Sequence, residues 1–264
     1  MLGFFINMLA AAAPANPQPP AARWIVDWGD QRCSLVRQTG GAKSRTLMVR
    51  TVPGTGTAEL WLFDPSWSGP TWRGYDRVDV GLDPSGFRVS EPAVSVRFRG
   101  QDGLAVTALD KNFLEKLAGA RSVAIDRGGA RLAEIPVPAS DRAVASLNAC
   151  EDEVMRDWGL DPAVTRSLSR RPEAIGGAAK WLSDRDYPSS ALREHQQGSV
   201  LTRLVVDPNG RIEQCHIVES SGYPVLDEKT CRVLGERVPF EPALSSAGEK
   251  VRAMTSLRIV WRLP

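Results

Sequence analysis

Apolar and polar residues alternate with a period of two in several short segments between Trp24 and Pro138. This alternation is typical of half-buried β-strands, and clusters of Gly, Pro, Asp and Ser separate the segments. The strands predicted in this way are Thr46–Val52, Ala58–Phe63, Arg77–Leu82, Ala93–Phe98 and Arg121–Asp126. We therefore expect a β-rich N-terminal domain over residues 24–158.

Two segments of this domain have helical periodicity instead. The first is Asp110–Ala120, where Asp110 is placed to cap the helix. The second is Ser140–Trp158, which begins with Ser140 or Asp141 as its cap. The second helix would close the domain.

Residues 159–180 lose this periodicity and are rich in Pro, Gly, Arg and Ser. Such a composition is typical of connecting segments. We interpret this stretch as an interdomain linker.

The remaining residues, 181–264, predict a second domain with the element order α-β-β-α-β. Asp207-Pro208-Asn209-Gly210 predicts a tight turn that joins two strands into a hairpin. The predicted elements are a helix over Ser189–Gln197, strands over Ser199–Val206 and Arg211–Glu219, a helix over Leu226–Val238 and a long strand over Lys250–Leu263. The fold class expected for the whole chain is α+β.

The first residues resemble an export signal. Leu2–Ala13 is a short apolar run that ends in small residues, and a Pro-rich stretch follows it. The run is too short to cross a bilayer and fits a signal peptide over residues 1–13, although no Lys or Arg precedes it. Residues 14–23 would be a Pro-rich lead. The prediction is a periplasmic protein, with a retained inner-membrane anchor as the alternative.

Composition and motifs argue against several classes of function. The chain of 264 residues has 33 basic and 31 acidic side chains, a net charge of +2, which does not favour nucleic-acid binding. It has two histidines, His195 and His216, and no closely spaced pair of cysteines. We expect no metal, no cofactor, no small-molecule substrate and no catalytic residue, so the protein is not expected to be an enzyme.

The four cysteines predict two disulfides in an exported protein. Cys215 lies on a predicted strand and Cys231 on the helix that must pack against it, so these two are expected to pair. By elimination, Cys33 would pair with Cys150. The alternative is four buried free thiols.

Ordered motifs across the second domain resemble the C-terminal domain of TonB-family proteins, the periplasmic end of energy transducers. The resemblance covers about the last eighty residues. The matching residues are Tyr187-Pro188 with Ala191, Gly198-Ser199-Val200, Val206-Asp207-Pro208-Asn209-Gly210-Arg211, Val218 with Ser220-Ser221-Gly222, Leu226-Asp227, and Val238-Pro239-Phe240-Glu241-Pro242-Ala243. The N-terminal domain is faintly similar to periplasmic proteins of the invasion-associated locus B type, a likeness from which we infer no activity.

The TonB resemblance implies that the last strand receives a short peptide segment of an outer-membrane receptor by strand addition, in energy-coupled transmembrane transport. One side of this strand carries three arginines, which would suit an acidic or polar segment or simply face solvent. The predicted partner-binding residues are Arg252, Met254, Ser256, Arg258, Val260 and Arg262.

The chain is expected to depart from the family pattern in two respects. The apolar run Leu2–Ala13 is short for the inner-membrane anchor that a transducer needs. A folded domain lies where a transducer has its long Pro-rich spacer. The alternative function is therefore a structural or interaction protein of the cell envelope, bound to peptidoglycan or a protein, without energy transduction. A second copy of the chain, forming a homodimer, is also left open as a partner.

Three groups of residues are candidates for a site, and each also has an ordinary structural interpretation. Trp61, Trp67 and Trp72 would line a groove or fill a core, and both interpretations stay open. The two histidines are expected on the surface. Asp184 and Asp186 are expected to form a solvated cap.

Overall fold

The computed structural model describes residues 23–29, 31–40, 44–67, 76–98 and 100–263. The predicted signal peptide, residues 14–22 of the Pro-rich lead, and Trp72 lie outside these residues. Among the described residues, every helix is too short or too polar to cross a bilayer.

The N-terminal part of the chain forms one antiparallel sheet of nine strands. Its spatial order is β1-β2-β3-β4-β7-β6-β5-β8-β9. The strands are β1 Trp24–Trp28, β2 Cys33–Gln38, β3 Thr46–Thr51, β4 Thr57–Phe63, β5 Asp76–Asp83, β6 Phe87–Phe98, β7 Gln101–Asp110, β8 Ser122–Arg127 and β9 Ala130–Pro136. The five predicted strands are all present, and the longest of them, β6, begins six residues earlier than its alternation indicated.

This sheet curls until its two ends approach each other. Arg37 on β2 donates from Nε to the carbonyl oxygen of Pro136 at 2.9 Å, and Trp24 donates to the carbonyl oxygen of Pro138 at 3.0 Å. Two helices, α1 (Lys111–Leu117) and α2 (Ser140–Asp157), pack on the enclosed core. We call the sheet with these helices the N-terminal unit.

The N-terminal cap of α1 is the predicted residue, whereas that of α2 is not. The Asp110 carboxylate accepts from the backbone N–H groups of Asn112 and Phe113, as predicted. The cap of α2 is Ala139, in a left-handed conformation, rather than Ser140 or Asp141. Ser140 is buried and its hydroxyl donates to the carbonyl oxygen of Ala120, so it is not available to cap the helix.

Residues 159–180, interpreted from their composition as an interdomain linker, contain short elements of regular structure. They contain α3 (Pro162–Arg166), the short strand β10 (Glu173–Ala174) and the start of α4 (Ala178–Trp181). β10 pairs with β13 (Phe240–Glu241), and Arg170 bridges to Leu244. Backbone hydrogen bonds therefore fix this segment to the C-terminal part of the chain.

The C-terminal part has the predicted element order around a sheet of three strands. The sheet order is β12-β11-β16, and all pairs are antiparallel. The elements are α5 Ser189–Arg193, β11 Gly198–Val206, β12 Ile212–Glu219, α6 Pro224–Arg237, β14 Ala243–Leu244, β15 Lys250–Val251 and β16 Ala253–Trp261. We call this sheet with its helices the C-terminal unit.

Two predicted elements are shorter than expected. The helix over Ser189–Gln197 ends at Arg193, and His195 has a φ of 53°, which a right-handed helix does not allow. The strand over Lys250–Leu263 is divided, because Lys250 and Val251 pair with β14 in a hairpin of their own. The strand that joins the main sheet is β16 alone.

Both predicted disulfides are present. Cys215 on β12 is bonded to Cys231 on α6, and Cys33 on β2 is bonded to Cys150 on α2. Each bridge ties a helix to the sheet that it covers. The first stabilises the C-terminal unit and the second the N-terminal unit.

Candidate functional site

β16 lies at one edge of the three-stranded sheet. It pairs with β11 in a continuous register from Gly198 opposite Trp261 to Val206 opposite Ala253. Among the described strands, β11 is the only one that pairs with β16. The other side of β16 is therefore a sheet edge, where a strand has unpaired N–H and C=O groups.

The helix-facing side of β16 anchors it in the hydrophobic core. Ile259 and Trp261 are buried in the cluster that contains Leu226 and Leu234 of α6. The indole N–H of Trp261 donates to the hydroxyl of Thr230 at 2.8 Å. The edge strand is thus held rigidly by its inner face.

The six predicted partner-binding residues have different surroundings. Met254 is fully buried, and Ser256 and Arg258 are partly buried. Val260 is 44% exposed and Arg262 is exposed, whereas Arg252 donates to Glu213 at 2.6 Å. The structure therefore covers Met254 and partly covers Ser256 and Arg258, whereas Val260 and Arg262 are accessible.

The N-terminal unit covers the opposite face of β16. A Cβ atom added at Gly54 would lie 2.7 Å from Cε of Met254, so the 52–57 turn packs directly on this face. Gly54 also has a φ of +82°, which favours glycine, and its carbonyl oxygen accepts from Arg171.

A second contact between the units is a stacked pair. The guanidinium of Arg203 on β11 lies 3.7 Å from the ring centroid of Trp158, at the end of α2. Arg203 is buried, and among the described residues its Nε has no hydrogen-bond partner. Cation–π attraction to Trp158 therefore replaces the carboxylate that a buried arginine usually pairs with.

Five charged side chains from both units form a cluster beside this interface: Arg32, Arg50, Glu59, Glu219 and Arg258. Arg258 Nη2 donates to Glu59 at 2.9 Å and to Glu219 at 2.7 Å. Glu219 also accepts from Arg32 at 2.6 Å and from Arg50 at 2.7 Å. We call this group the interface ion cluster.

The pKa shifts in this cluster follow from burial and from its unequal charges. Desolvation opposes the charge of Glu219, but Arg32, Arg258 and Arg50 outweigh it and hold the pKa of Glu219 below its ordinary value. Desolvation lowers the pKa of Arg32, and repulsion from Arg50 and Arg258 adds to this despite Glu59 and Glu219. Arg258 differs from Arg32: desolvation lowers its pKa, but Glu219 and Glu59 outweigh that effect and raise the pKa of Arg258 above its ordinary value.

Trp61 belongs to this cluster rather than to an aromatic groove. Its ring lies 4.5 Å from the guanidinium of Arg50, and its N–H donates to Glu59 at 3.0 Å. Trp67 is partly buried against the N-terminal core. Trp61 and Trp67 therefore have different surroundings, and Trp72 lies outside the described residues.

The histidines and the paired aspartates have ordinary structural positions. His195 and His216 are exposed, as predicted. Partial desolvation of the ring, followed by the nearby charge of Arg203, lowers the pKa of His216. Asp186, in contrast, is not solvated: it is 5% exposed and accepts from Arg237 at 2.9 Å.

Sequence reasoning missed Arg32, Arg50, Glu59 and Glu219 as members of a site. Each lies on or beside a strand in an alternating pattern, where a charged residue indicates a solvent face. One signal of this site was present in the sequence. Arg258 is a charged residue among apolar neighbours on a predicted strand, but the sequence does not show which residues face it.

Comparison with known protein families agrees with this geometry. Residues 183–263 match the family model described as Gram-negative bacterial TonB protein C-terminal. No match was found among curated proteins. The last third of the chain therefore matches a TonB-type C-terminal domain; domains of this family are non-enzymatic and interact with outer-membrane proteins in transport.

Proposed function

We propose that the protein is a periplasmic TonB-like binding protein that engages peptide segments of outer-membrane receptors by strand addition to β16, in energy-coupled transmembrane transport. The observation that carries this proposal is that β16 pairs with a single described strand, β11. A peptide would add to the other side of β16, where ladder hydrogen bonds supply affinity.

The contacts of β16 refine which of its residues would select the peptide. Arg258 and Met254 are engaged by the N-terminal unit, so they are poorly placed to receive a second partner. Val260 and Arg262 are exposed. Selection would therefore depend mainly on the end of the strand, and affinity on its backbone.

Peptides with methylated backbone nitrogens test this mechanism directly. In a β-strand, alternate N–H groups point toward the neighbouring strand. A receptor peptide methylated at one set of alternate residues should lose binding, and the same peptide methylated at the other set should keep it. Chemical-shift changes along residues 253–261 provide the measurement, with a scrambled peptide as a control.

A matched pair of protein variants tests whether the peptide binds at the edge of β16. Val260→Lys places a charge on the proposed binding edge, whereas Val164→Lys places one on α3 at a similar exposure, 46% against 44%. Only Val260→Lys should change the peptide affinity. Equal affinities of both variants, or equal binding of both methylated peptides, would exclude strand addition at β16.

One observation favours the alternative of an envelope interaction protein without energy transduction. The N-terminal unit packs on one face of β16, at the place in the chain where a transducer has its spacer. Binding to isolated peptidoglycan, or to a second copy of the chain, with no shift from receptor peptides would support this alternative.

We further propose that residues 1–13 act as a signal peptide and that the protein has no catalytic role. N-terminal sequencing of the protein from the periplasmic fraction should give a mature start near Pro14. An intact Met1 in the membrane fraction would instead indicate a retained anchor.

A further inference from the structure

A cavity of about 240 Å³ lies between the two units, beside the interface ion cluster. Three arginines of the cluster, Arg32, Arg50 and Arg258, line it together with Glu59. Hydroxyl and apolar side chains complete the wall, and two of these, Leu201 and Ser256, belong to the C-terminal unit. The cavity is thus built by both units.

The cluster contains one more cation than anions. Within the described part of the chain, Arg32, Arg50 and Arg258 form ion pairs with Glu59 and Glu219 alone. The side chains of Arg32 and Glu59 are each 10% exposed, and those of Arg50, Glu219 and Arg258 are 17%, 24% and 29% exposed, so water screens this group only in part. An unbalanced charge in such a place is costly unless a counter-ion joins it.

Every carboxylate oxygen of the interface ion cluster already accepts a hydrogen bond. Each oxygen of Glu59 accepts a hydrogen bond, Oε1 from Arg258 and Oε2 from Trp61 and Arg32. Each oxygen of Glu219 does the same. Arg32, in contrast, has a buried Nε without a hydrogen-bond partner among the described residues.

We propose that this cavity binds a small organic acid, whose carboxylate joins the arginines of the interface ion cluster. A carboxylate carries the single negative charge that balances the cluster. Phosphate carries more than one negative charge at neutral pH, so it fits this balance less well. The proposal does not depend on peptide binding at β16.

The rest of the cavity wall indicates the size and polarity of the acid. Val52 and Leu201 provide apolar contacts for a short carbon chain, while Thr57, Thr107 and Ser256 provide hydroxyl donors. Because the volume is small, the ligand would have only a few carbon atoms. Butyrate meets these requirements and serves as the probe.

Calorimetric titration of the full chain with butyrate tests the proposal. Butyramide has the same shape without the charge and is the matched control, with chloride at equal ionic strength in every sample. Saturable binding of butyrate and none of butyramide is the expected result. Inorganic phosphate is the second arm, and tighter binding of phosphate than of butyrate would overturn the carboxylate assignment.

Substitutions in the cavity wall test whether butyrate binds in this cavity. Arg50→Gln should weaken butyrate affinity about tenfold, because a charge-assisted hydrogen bond is lost. Arg252→Gln is the control, since Arg252 pairs with Glu213 at the surface, away from the cavity wall. Thr107→Val and Ser256→Ala change only hydroxyl groups, and each should weaken binding a few-fold.

These milder variants keep the test decisive if Arg50→Gln does not fold. Unchanged affinity in both Thr107→Val and Ser256→Ala, or absence of saturable butyrate binding by the native chain, would overturn the proposal. A loss of affinity in Arg252→Gln equal to that in the cavity variants would do the same.

Discussion

Arg258 donates to the carboxylate of Glu59 at 2.9 Å, although 199 residues separate the two along the chain. The contact joins the edge strand of the TonB-type domain to a central strand of the N-terminal sheet. An arginine that the sequence assigns to a partner is therefore already paired within the protein. This relationship determines which surfaces of β16 are available and suggests the first test.

Glu59→Gln should destabilise the contact between the two units. The substitution removes one of two carboxylates from a group with three arginines, so an uncompensated buried charge remains, at a cost of about 3 kcal/mol. Urea unfolding provides the measurement. Glu134→Gln, at an exposed carboxylate paired with Arg131, should change the free energy of unfolding by less than about 1 kcal/mol. Equal effects would mean that the cluster does not stabilise the interface.

Cys215→Ser should lower thermal stability under oxidising conditions. The bridge to Cys231 closes a loop of 16 residues and contributes about 3 kcal/mol by the chain-entropy estimate. Under reducing conditions the native chain loses the same bridge, so the variant and the native protein should then unfold at similar temperatures. An equal difference in both conditions would contradict a role for the bridge.

The stability of the C-terminal unit should fall in acid because of Asp186. Hydrogen bonds from Arg237 and Ser183 hold the pKa of its carboxyl well below the ordinary value of 3.8. A lowered pKa in the folded state stabilises the protein at pH values above 3.8, and this stability is lost as the pH falls toward the folded pKa. The slope approaches about 1.4 kcal/mol per pH unit for one group.

Asp186→Asn should remove that part of the pH dependence. Asp184→Asn is the matched control, because Asp184 is exposed and lies two residues away. Free energies of unfolding measured between pH 5 and pH 2, about the range over which this carboxyl titrates in the unfolded chain, provide the test. If both variants keep the pH dependence of the native protein, another group is responsible for the loss of stability in acid.

Gly210→Ala should be much more destabilising than Gly222→Ala. Both glycines have positive φ, 80° and 90°, so each alanine costs about 1–2 kcal/mol in backbone strain. At Gly210 the new Cβ would also overlap the carbonyl oxygen of Phe240, whereas nothing lies within 4 Å at Gly222. Thermal unfolding of the two variants gives the comparison. Equal losses would mean that the turn moves freely away from Phe240.

The C-terminal unit could be predicted from sequence because its signals are local. The Asp207–Gly210 turn fixes the hairpin, and the β11 and α6 boundaries lie within two residues of their predicted positions. Ile259 and Trp261 share the helix-facing side of β16, as a period of two along a strand requires. Turn chemistry and a period of two are properties of neighbouring residues, which is why they can be read from a sequence.

The interface could not be predicted, because it depends on contacts between distant strands. Glu59 and Glu219 alternate with apolar residues, as solvent-facing residues also do. Only the approach of the two sheets makes them partners of Arg258. The short strand within residues 159–180 is unpredictable for a related reason, since β10 becomes a strand only when β13 is beside it.

The bond between Cys33 and Cys150 has a mechanical consequence. It joins residues separated by 117 positions, so the whole of the N-terminal sheet beyond β1 lies inside one covalent loop. Tension along the backbone across this loop would travel through sulfur and bypass the strands within it. While the bridge is oxidised, a pulling force cannot extend residues 33–150, so this segment cannot serve as an extensible spacer.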